Sequence, residues 1–386
     1  GISTGTTVLV GQAWGAQNIE KVQSVVGSTL FMTIIGGIIT AIIGVFFAHD
    51  ILELLGTDPK VMHLSLPYVQ WMLAGSPLLF VYIIYTSILR GVGDSTTPLL
   101  ALALTSVIGL VITPILLKGY FGLPALGIIA PAIATITGYV AILIFLAIYL
   151  NKKNHPLRPT RQLLQHIRHN PELSKIILRL GVPTGIQMIT TSMAGLVIVG
   201  LVNHYGSHAT AAYGAVNQVL NYIQFPAISI SIAASIFAAQ AIGAGKSDLL
   251  ARVTPTALGM NFLFTGALIA LGYLFSKYLM ALFITDPTVV VLGQQLLFIV
   301  LWAILFFGAG AIFASIMRAS GTVTVPMLIN ISAILFIEIP CAYWFSSMWG
   351  LKGIWVAYAL AFVSLCIIQG LYYQFIWKKK TIKVLI

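Results

Sequence analysis

The sequence predicts an all-α polytopic membrane protein made of two parallel, pseudo-symmetric six-helix bundles. Three observations carry that expectation. The 386 residues are 59% hydrophobic and 8% charged, whereas a soluble domain carries roughly 25% charged residues. Apolar runs of about twenty residues recur from end to end, the length needed to cross a hydrocarbon core of roughly 30 Å. Finally, the chain repeats itself at a fixed interval of 228 residues.

The repeat is visible in several places without a gap. Gln12, Gly15 and Ala16 recur as Gln240, Gly243 and Ala244, at the ends of apolar helices dotted with small residues. Thr57-Asp58-Pro59 recurs as Thr285-Asp286-Pro287. Arg90, Gly93, Thr96 and Pro98 recur as Arg318, Gly321, Thr324 and Pro326, and Gly122-Leu123 as Gly350-Leu351. One register held over more than a hundred residues marks an internal duplication. In the Arg-x-x-Gly…Pro segments, glycine is placed to end one helix and proline to begin the next, so they read as turns and candidate hinges.

Taken in order, residues 1 to about 10 continue a helix, and Gln17 to Lys21 form its turn. Apolar spans are expected at 25–48, 65–89, 97–117 and 123–150, which makes 1–150 the first lobe. Residues 151–175 are the one long polar segment, a basic linker with a short amphipathic helix expected on the membrane surface. The second lobe, 176–377, supplies spans at 176–202, 209–242, 255–284, 290–317, 323–346 and 350–377, followed by a Lys-rich tail at 378–386. Gly1 aligns with Ser229, well inside the second repeat. The first repeat is therefore expected to lack its first helix and half of the next, leaving about eleven of twelve spans.

The net charge of +11 does not describe a nucleic-acid groove. Seven of the 20 Lys and Arg lie between Lys152 and Arg179, and Lys378, Lys379, Lys380 and Lys383 crowd the tail. Placing linker and tail in the cytoplasm puts 16 basic residues inside and leaves Lys60, Lys118, Lys277 and Lys352 outside. Some of the inner charges are placed to attract anionic membrane lipid. With an even number of spans per repeat, both repeats share one orientation, about an axis along the membrane normal and with a substrate cavity between them. Cys341 and Cys366 fall in expected spans as free thiols, with no disulfide or metal spacing.

Only one acidic residue lies clearly inside a span: Glu338, in Ile334-Leu-Phe-Ile-Glu-Ile-Pro-Cys-Ala-Tyr343. A desolvated carboxylate is a candidate for binding and releasing a coupling cation; the competing reading is a carboxylate in a wet cavity or hydrogen-bonded near the Pro340 break. Tyr213, Asn217, Asn221 and Gln224 share one helix face at spacings of four, four and three. Such a stripe either lines a substrate cavity or makes interhelical hydrogen bonds. Thr4, Thr6 and Thr7, and Gln187 with Thr191 beyond Pro183, are weaker candidates of the same kind. Gln240-Ala-Ile-Gly-Ala-Gly-Lys246-Ser247 imitates a phosphate-binding loop but has Gln240 where the motif needs glycine. His204 and His208 have metal-like spacing with Gly206 between them, so a surface pair is the better reading. No catalytic set is visible, and neither an enzyme nor an organic cofactor is expected.

The doubled Gly-Gln-Ala-Trp-Gly-Ala16 and Ala-Gln-Ala-Ile-Gly-Ala244 helix ends, the two Arg turns, Arg179-Leu-Gly-Val-Pro183 and Ile339-Pro-Cys-Ala-Tyr343 resemble the multidrug and toxic compound extrusion family along the whole chain. Ala211-Ala-Tyr-Gly-Ala215 and the helix after Pro226 look most like its bacterial DNA-damage-inducible branch. The resemblance implies two six-helix lobes around a V-shaped cavity. It also implies a monomer in the inner (plasma) membrane of a bacterium that exports small amphiphilic, cationic compounds against an inward H+ or Na+ gradient. A carboxylate in the first helix would be the usual cation site. Some members add Asn and Asp near the end of the fifth helix, where this chain has Gly109 and Thr113, and others a Glu in the seventh, where it has Thr191. Those departures favour protons over sodium. The alternative is a flippase for lipids or lipid-linked oligosaccharides, which needs a larger, more basic cavity. A channel would not need two mobile halves.

Overall fold

Caps written into the sequence set where the helices begin and end, and they do so twice at the same spacing. The computed structural model describes residues 1–122 and 124–386; Leu123, expected to open a span and to pair with Leu351, lies outside the described residues. The first half holds α1 (Ile2–Gly15), α2 (Ile19–Phe46), α3 (Ala48–Leu54), α4 (Pro59–Ala74), α5 (Ser76–Gly91), α6 (Thr96–Lys118) and α7 (Ala130–Lys152). A short α8 (Arg161–Gln165) and the long α9 (Pro171–Asn203) follow. The second half continues with α10 (Ser207–Gly243), α11 (Ser247–Leu274), α12 (Ser276–Ala281), α13 (Pro287–Val300) and α14 (Ile304–Ala319). It ends with α15 (Thr324–Ala333), α16 (Ile339–Trp349) and α17 (Leu351–Phe375). Helices α2 to α6 start 228 residues before α11 to α15.

The repeated tripeptide explains one pair of starts. Asp58 accepts the Lys60 amide at 2.8 Å and Asp286 the Thr288 amide at 2.8 Å, each with proline in the first turn. The aspartate satisfies an orphan helix N–H and the proline has none to leave unsatisfied. The Arg turns are closed alike. Gly93 (φ 93°) and Gly321 (φ 87°) take the left-handed conformation, and the next amide reaches back five residues, Asp94 to Leu89 at 2.9 Å and Thr322 to Met317 at 3.1 Å. This is the glycine-ended Schellman pattern. The α1–α2 and α10–α11 turns repeat it, with Asn18 bonded to Ala13 (3.1 Å) and Lys246 to Ala241 (2.9 Å). There the left-handed position is Gly245 in one copy but Gln17 (φ 56°) in the other.

Among the described residues nine helical segments are long and apolar enough to cross a membrane, and a tenth if the bent pair α4–α5 counts as one span. That is fewer than the eleven or so expected, because the 14 residues of α1 are too short to span by themselves. The 65–89 stretch is not one straight helix. It breaks at Gly75 with a 46° bend, where Pro77 follows and supplies no backbone donor. Apolar side chains left exposed on the spans, among them Phe46, Leu110, Leu196, Phe262 and Leu274, are suited to hydrocarbon rather than water.

The chain divides into two compact units, Ile2–Arg179 and Leu180–Ile386 together with Gly1, so the division falls within α9 rather than in the polar linker. In the first unit α1, α2 and α5 pack around Leu9, Val25, Ile88 and Leu89. Two leucines anchor the otherwise largely exposed linker to that unit. Leu157 and Leu163 are buried, Tyr85 donates to the Leu157 carbonyl at 2.5 Å, and α8 has only five residues, too few for an amphipathic face. In the second unit the main core gathers α9, α10, α13, α14 and α17 around Trp355 and Leu297. A second cluster at the far end holds Ala238, Ile316, Tyr373 and Trp377.

Candidate functional site

The span opened by α15 is interrupted in the second unit, and the interruption carries its one carboxylate. Pro340 has no amide hydrogen and its ring crowds the carbonyl four residues back, so a regular α-turn cannot run through it. The chain answers with a π-turn over Ile334–Glu338, closed by the Ile339 amide on the Ile334 carbonyl. π-Turns of this kind are rare and recur at functional sites. Glu338 sits half-buried at its last residue. Its counterpart in the first repeat is Leu110, which is 76% exposed, so the carboxylate belongs to one copy only.

Facing elements supply the polar surroundings. Tyr358 on α17 lies within electrostatic reach of Glu338, and its hydroxyl is 2.9 Å from that of Tyr213 on α10. Trp355, fully buried, packs between the two tyrosines with ring centroids 5.3 and 5.4 Å away. Its indole N–H has no hydrogen-bond partner among the described residues. Of the sequence-derived candidates, Tyr213 is thus brought to the neighbourhood of Glu338. Tyr358 and Trp355 were missed. Their signal was a Trp-x-x-Tyr pair on one face of an apolar helix, each with a polar tip that a span must accommodate.

Asn217, Asn221 and Gln224 continue the Tyr213 face of α10 toward Pro226; Asn217 and Gln224 are half-buried and Asn221 is exposed. Among the described residues none of the three forms a side-chain hydrogen bond to another helix. On α9, Gln187 is half-buried, and the Thr191 hydroxyl donates to the Gln187 carbonyl at 3.0 Å within its own helix. On α1, Thr4 is half-buried, while Thr7 donates to the carbonyls of Ser3 (2.9 Å) and Ser87 (3.3 Å). Thr6 is buried and donates to Thr29 at 3.2 Å. These two threonines therefore tie α1 to α5 and α2.

Among the motif residues, Gln12 is buried and Gln240 half-buried at the ends of α1 and α10, with Gly15 and Gly243 closing those helices. Arg90 donates to the Ser87 hydroxyl at 2.8 Å, which itself meets Ser3 on α1 at 2.7 Å. Arg318 is half-buried at the corresponding turn. Pro98 and Pro326 are buried in the first turns of α6 and α15. A second polar core residue escaped notice: Asn261 on α11 donates to the Leu305 carbonyl at 3.1 Å and accepts from Thr265 at 3.0 Å. An asparagine in an otherwise apolar span was the available sign. His204, in the turn just past α9, hydrogen-bonds the Gly200 carbonyl of that helix at 2.9 Å. Among the described residues one ligand-type trio converges, His49, Asp50 and Glu53, all exposed on α3.

With this geometry in hand, the sequence profile of the MatE family matches residues 1–115 and 183–344. The chain belongs to the MatE family. A probable multidrug resistance protein of Bacillus subtilis, YoeA, is 45% identical over the whole chain and 84% of its own length. An FAD transporter of Shewanella oneidensis is 25% identical over 92% of the chain and 78% of its length. Among solved structures, a Vibrio cholerae MATE transporter, VcmN, superposes with a TM-score of 0.90 at 19% identity, covering 99% of this chain and 85% of that one. A MOP superfamily transporter from Pyrococcus furiosus gives 0.88 at 21%, covering 98% and 84%. These two share the fold. Membership in the MatE family makes the protein a multi-pass membrane transporter and not an enzyme.

Proposed function

We propose that the protein is a proton-coupled exporter of small amphiphilic, cationic organic compounds. It works by alternating access as a monomer in a bacterial plasma membrane, with linker and tail in the cytoplasm. Sequence likeness to the DNA-damage-inducible branch, the 45% identity to a probable multidrug resistance protein and the inward bias of basic residues support this reading. The observation that carries it is Glu338: one half-buried carboxylate inside a span, on a π-turn, beside the Tyr358–Tyr213 hydroxyl pair.

A coupling group must exchange its ion differently in the two conformations, because equal affinity for both would shift nothing. A carboxylate on an interrupted helix meets that need, since its surroundings change whenever the helix is redrawn. Tyr213, Asn217, Asn221 and Gln224 are assigned to a wall that meets substrate, with Gln187 and Thr191 as further contacts in the same unit. Gly109, Thr113 and Thr191 stand where sodium-type members resembling this chain carry oxygen-rich ligands, which favours H+ over Na+.

The deciding experiment reconstitutes the protein in liposomes and follows efflux of a fluorescent lipophilic cation under an imposed pH gradient, then a sodium gradient. Flux driven by the pH gradient alone and weakened in Glu338→Gln is expected. Sodium-driven flux would overturn proton coupling. No flux under either gradient would favour a flippase for lipids or lipid-linked oligosaccharides.

A further inference from the structure

The two copies of one helix start are capped differently, and in the second copy a basic pocket opens beside it. In the first repeat α2 begins at Asn18, whose side chain accepts the Lys21 amide at 2.9 Å and so caps the helix from within. In the second repeat the same position is Lys246, which has no acceptor to offer, and no side chain caps α11. A pocket of about 460 Å³ opens at this uncapped end, lined by Lys246, Lys378 and Lys380 over an apolar and aromatic floor that includes Leu250, Tyr373 and Trp377. Among the described residues no carboxylate lines it; Asp248 is exposed in the first turn of α11, outside the lining.

Two of the three lysines, Lys378 and Lys380, rest on a packed aromatic base. Trp377, almost fully buried, stacks on Tyr373 at 5.0 Å and donates to the Ser320 hydroxyl at 2.9 Å. Tyr373 meets the Thr254 hydroxyl at 2.5 Å. Lys378 lies 5.6 Å from the Tyr373 ring centroid, and Lys380 donates to the Tyr372 hydroxyl at 3.0 Å. Leu385 comes back to the Arg318 turn, where a Cβ added to Gly321 would meet its Cδ2 at 2.7 Å. The tail is thus folded onto the ends of the spans as one wall of the pocket.

We propose that this pocket binds the phosphate-bearing headgroup of an anionic phospholipid. Three ammonium groups and the open amides of a 28-residue helix provide for the phosphate. The apolar floor, at the basic end of the spans, provides for the glycerol and upper acyl carbons. That floor is why a lipid, rather than free phosphate, is the occupant.

Native mass spectrometry of the purified protein, titrated with phosphatidylglycerol, phosphatidylcholine or inorganic phosphate, tests this. Phosphatidylglycerol should be retained in preference to phosphatidylcholine, and Lys246→Asn should weaken that retention about fivefold. Because Asn restores the cap of the first repeat, the thermal midpoint of this variant should not fall, which separates lost binding from lost folding. Lys246→Asn combined with Lys378→Gln and Lys380→Gln should erase the preference, whereas Lys379→Gln with Lys383→Gln, which lie outside the lining, should keep it. Three results would each overturn the proposal: equal retention of the two lipids by the unaltered protein, an equal loss in the Lys379 and Lys383 control, or displacement of phosphatidylglycerol by millimolar inorganic phosphate.

Discussion

Replacing Tyr358 by phenylalanine takes one hydroxyl from the 2.9 Å pair with Tyr213 and strands the other. An intact hydrogen bond contributes about 1 kcal/mol net, whereas removing one partner and leaving a buried hydroxyl unsatisfied costs about 1–3 kcal/mol in all. Tyr213 is only 7% exposed, so water cannot easily replace the lost partner, and Tyr358→Phe should destabilise the second unit by roughly 1–3 kcal/mol. Tyr213→Phe should cost less, since Tyr358 is more accessible to water than Tyr213. In the double variant both polar groups are gone and two phenyl rings pack against Trp355. Its loss should be below the sum of the singles by about 1–2 kcal/mol. Denaturant unfolding of the four proteins in one detergent, followed by near-ultraviolet circular dichroism, reads the cycle. Strict additivity would refute the reasoning, because it would mean that the hydroxyls do not depend on each other.

Three further outcomes follow from other positions. Gln17→Gly should stabilise by roughly 0.5–1 kcal/mol, as it relieves a left-handed non-glycine residue; Gly245→Gln should cost a similar amount, both read as thermal midpoints. Gly353→Ala should destabilise by about 1–3 kcal/mol, because a Cβ there would lie 2.2 Å from the Phe345 carbonyl on α16. His155 should give a pH dependence. Burial, opposed by Asp94 and aided by Lys153, holds the imidazole below its ordinary value, and Nδ1 already accepts the Leu157 amide at 3.1 Å. The unfolded chain then binds the extra proton more readily, so stability is full above pH of about 6.5 and falls as pH drops through the lowered value. Asp94 acts at lower pH. Burial pushes its carboxyl up, but the Thr97 hydroxyl and amide, His155 and the Thr96 amide outweigh this and hold it below the usual range. Its contribution is lost only as pH falls below about 4. Melting curves from pH 8 to 5 should flatten in His155→Asn; an unchanged slope would show that this contact does not set it.

Much of the fold was legible because duplicated residues do the same local work twice. Asp58 and Asp286 both cap, Gly93 and Gly321 both turn left-handed, and a shared register fixes the order of helices. What the sequence hid depends on contacts between distant segments. The linker's charges are conspicuous in the sequence, whereas the anchoring of Leu157 and Leu163 in the first unit is not. Hydropathy alone treats Gly75-Ser-Pro77 as part of one run, although the missing amide bends it. Glu338 stood out as a charge in an apolar stretch, but that Tyr358 on α17 lies within its electrostatic reach needs the packing. Thr7 and the Asn217 stripe looked alike as polar residues in spans; the structure separates them, since Thr7 bridges α1 to α5 and the amides do not bridge helices.

The doubly bonded turns have a mechanical consequence. Where the chain passes from α1 to α2, α5 to α6, α10 to α11 and α14 to α15, two successive turn amides both donate back to carbonyls of the helix just ended, which ties the start of each corner to that helix. Each such pair is a stiff clip. Compliance is then favoured along the rods themselves, at the in-helix prolines Pro67, Pro114, Pro183, Pro226 and Pro255 and at the widened turn before Pro340. Each of these is a point where one backbone bond has already been given up and bending meets least resistance. Glu338 rides on one of the compliant points.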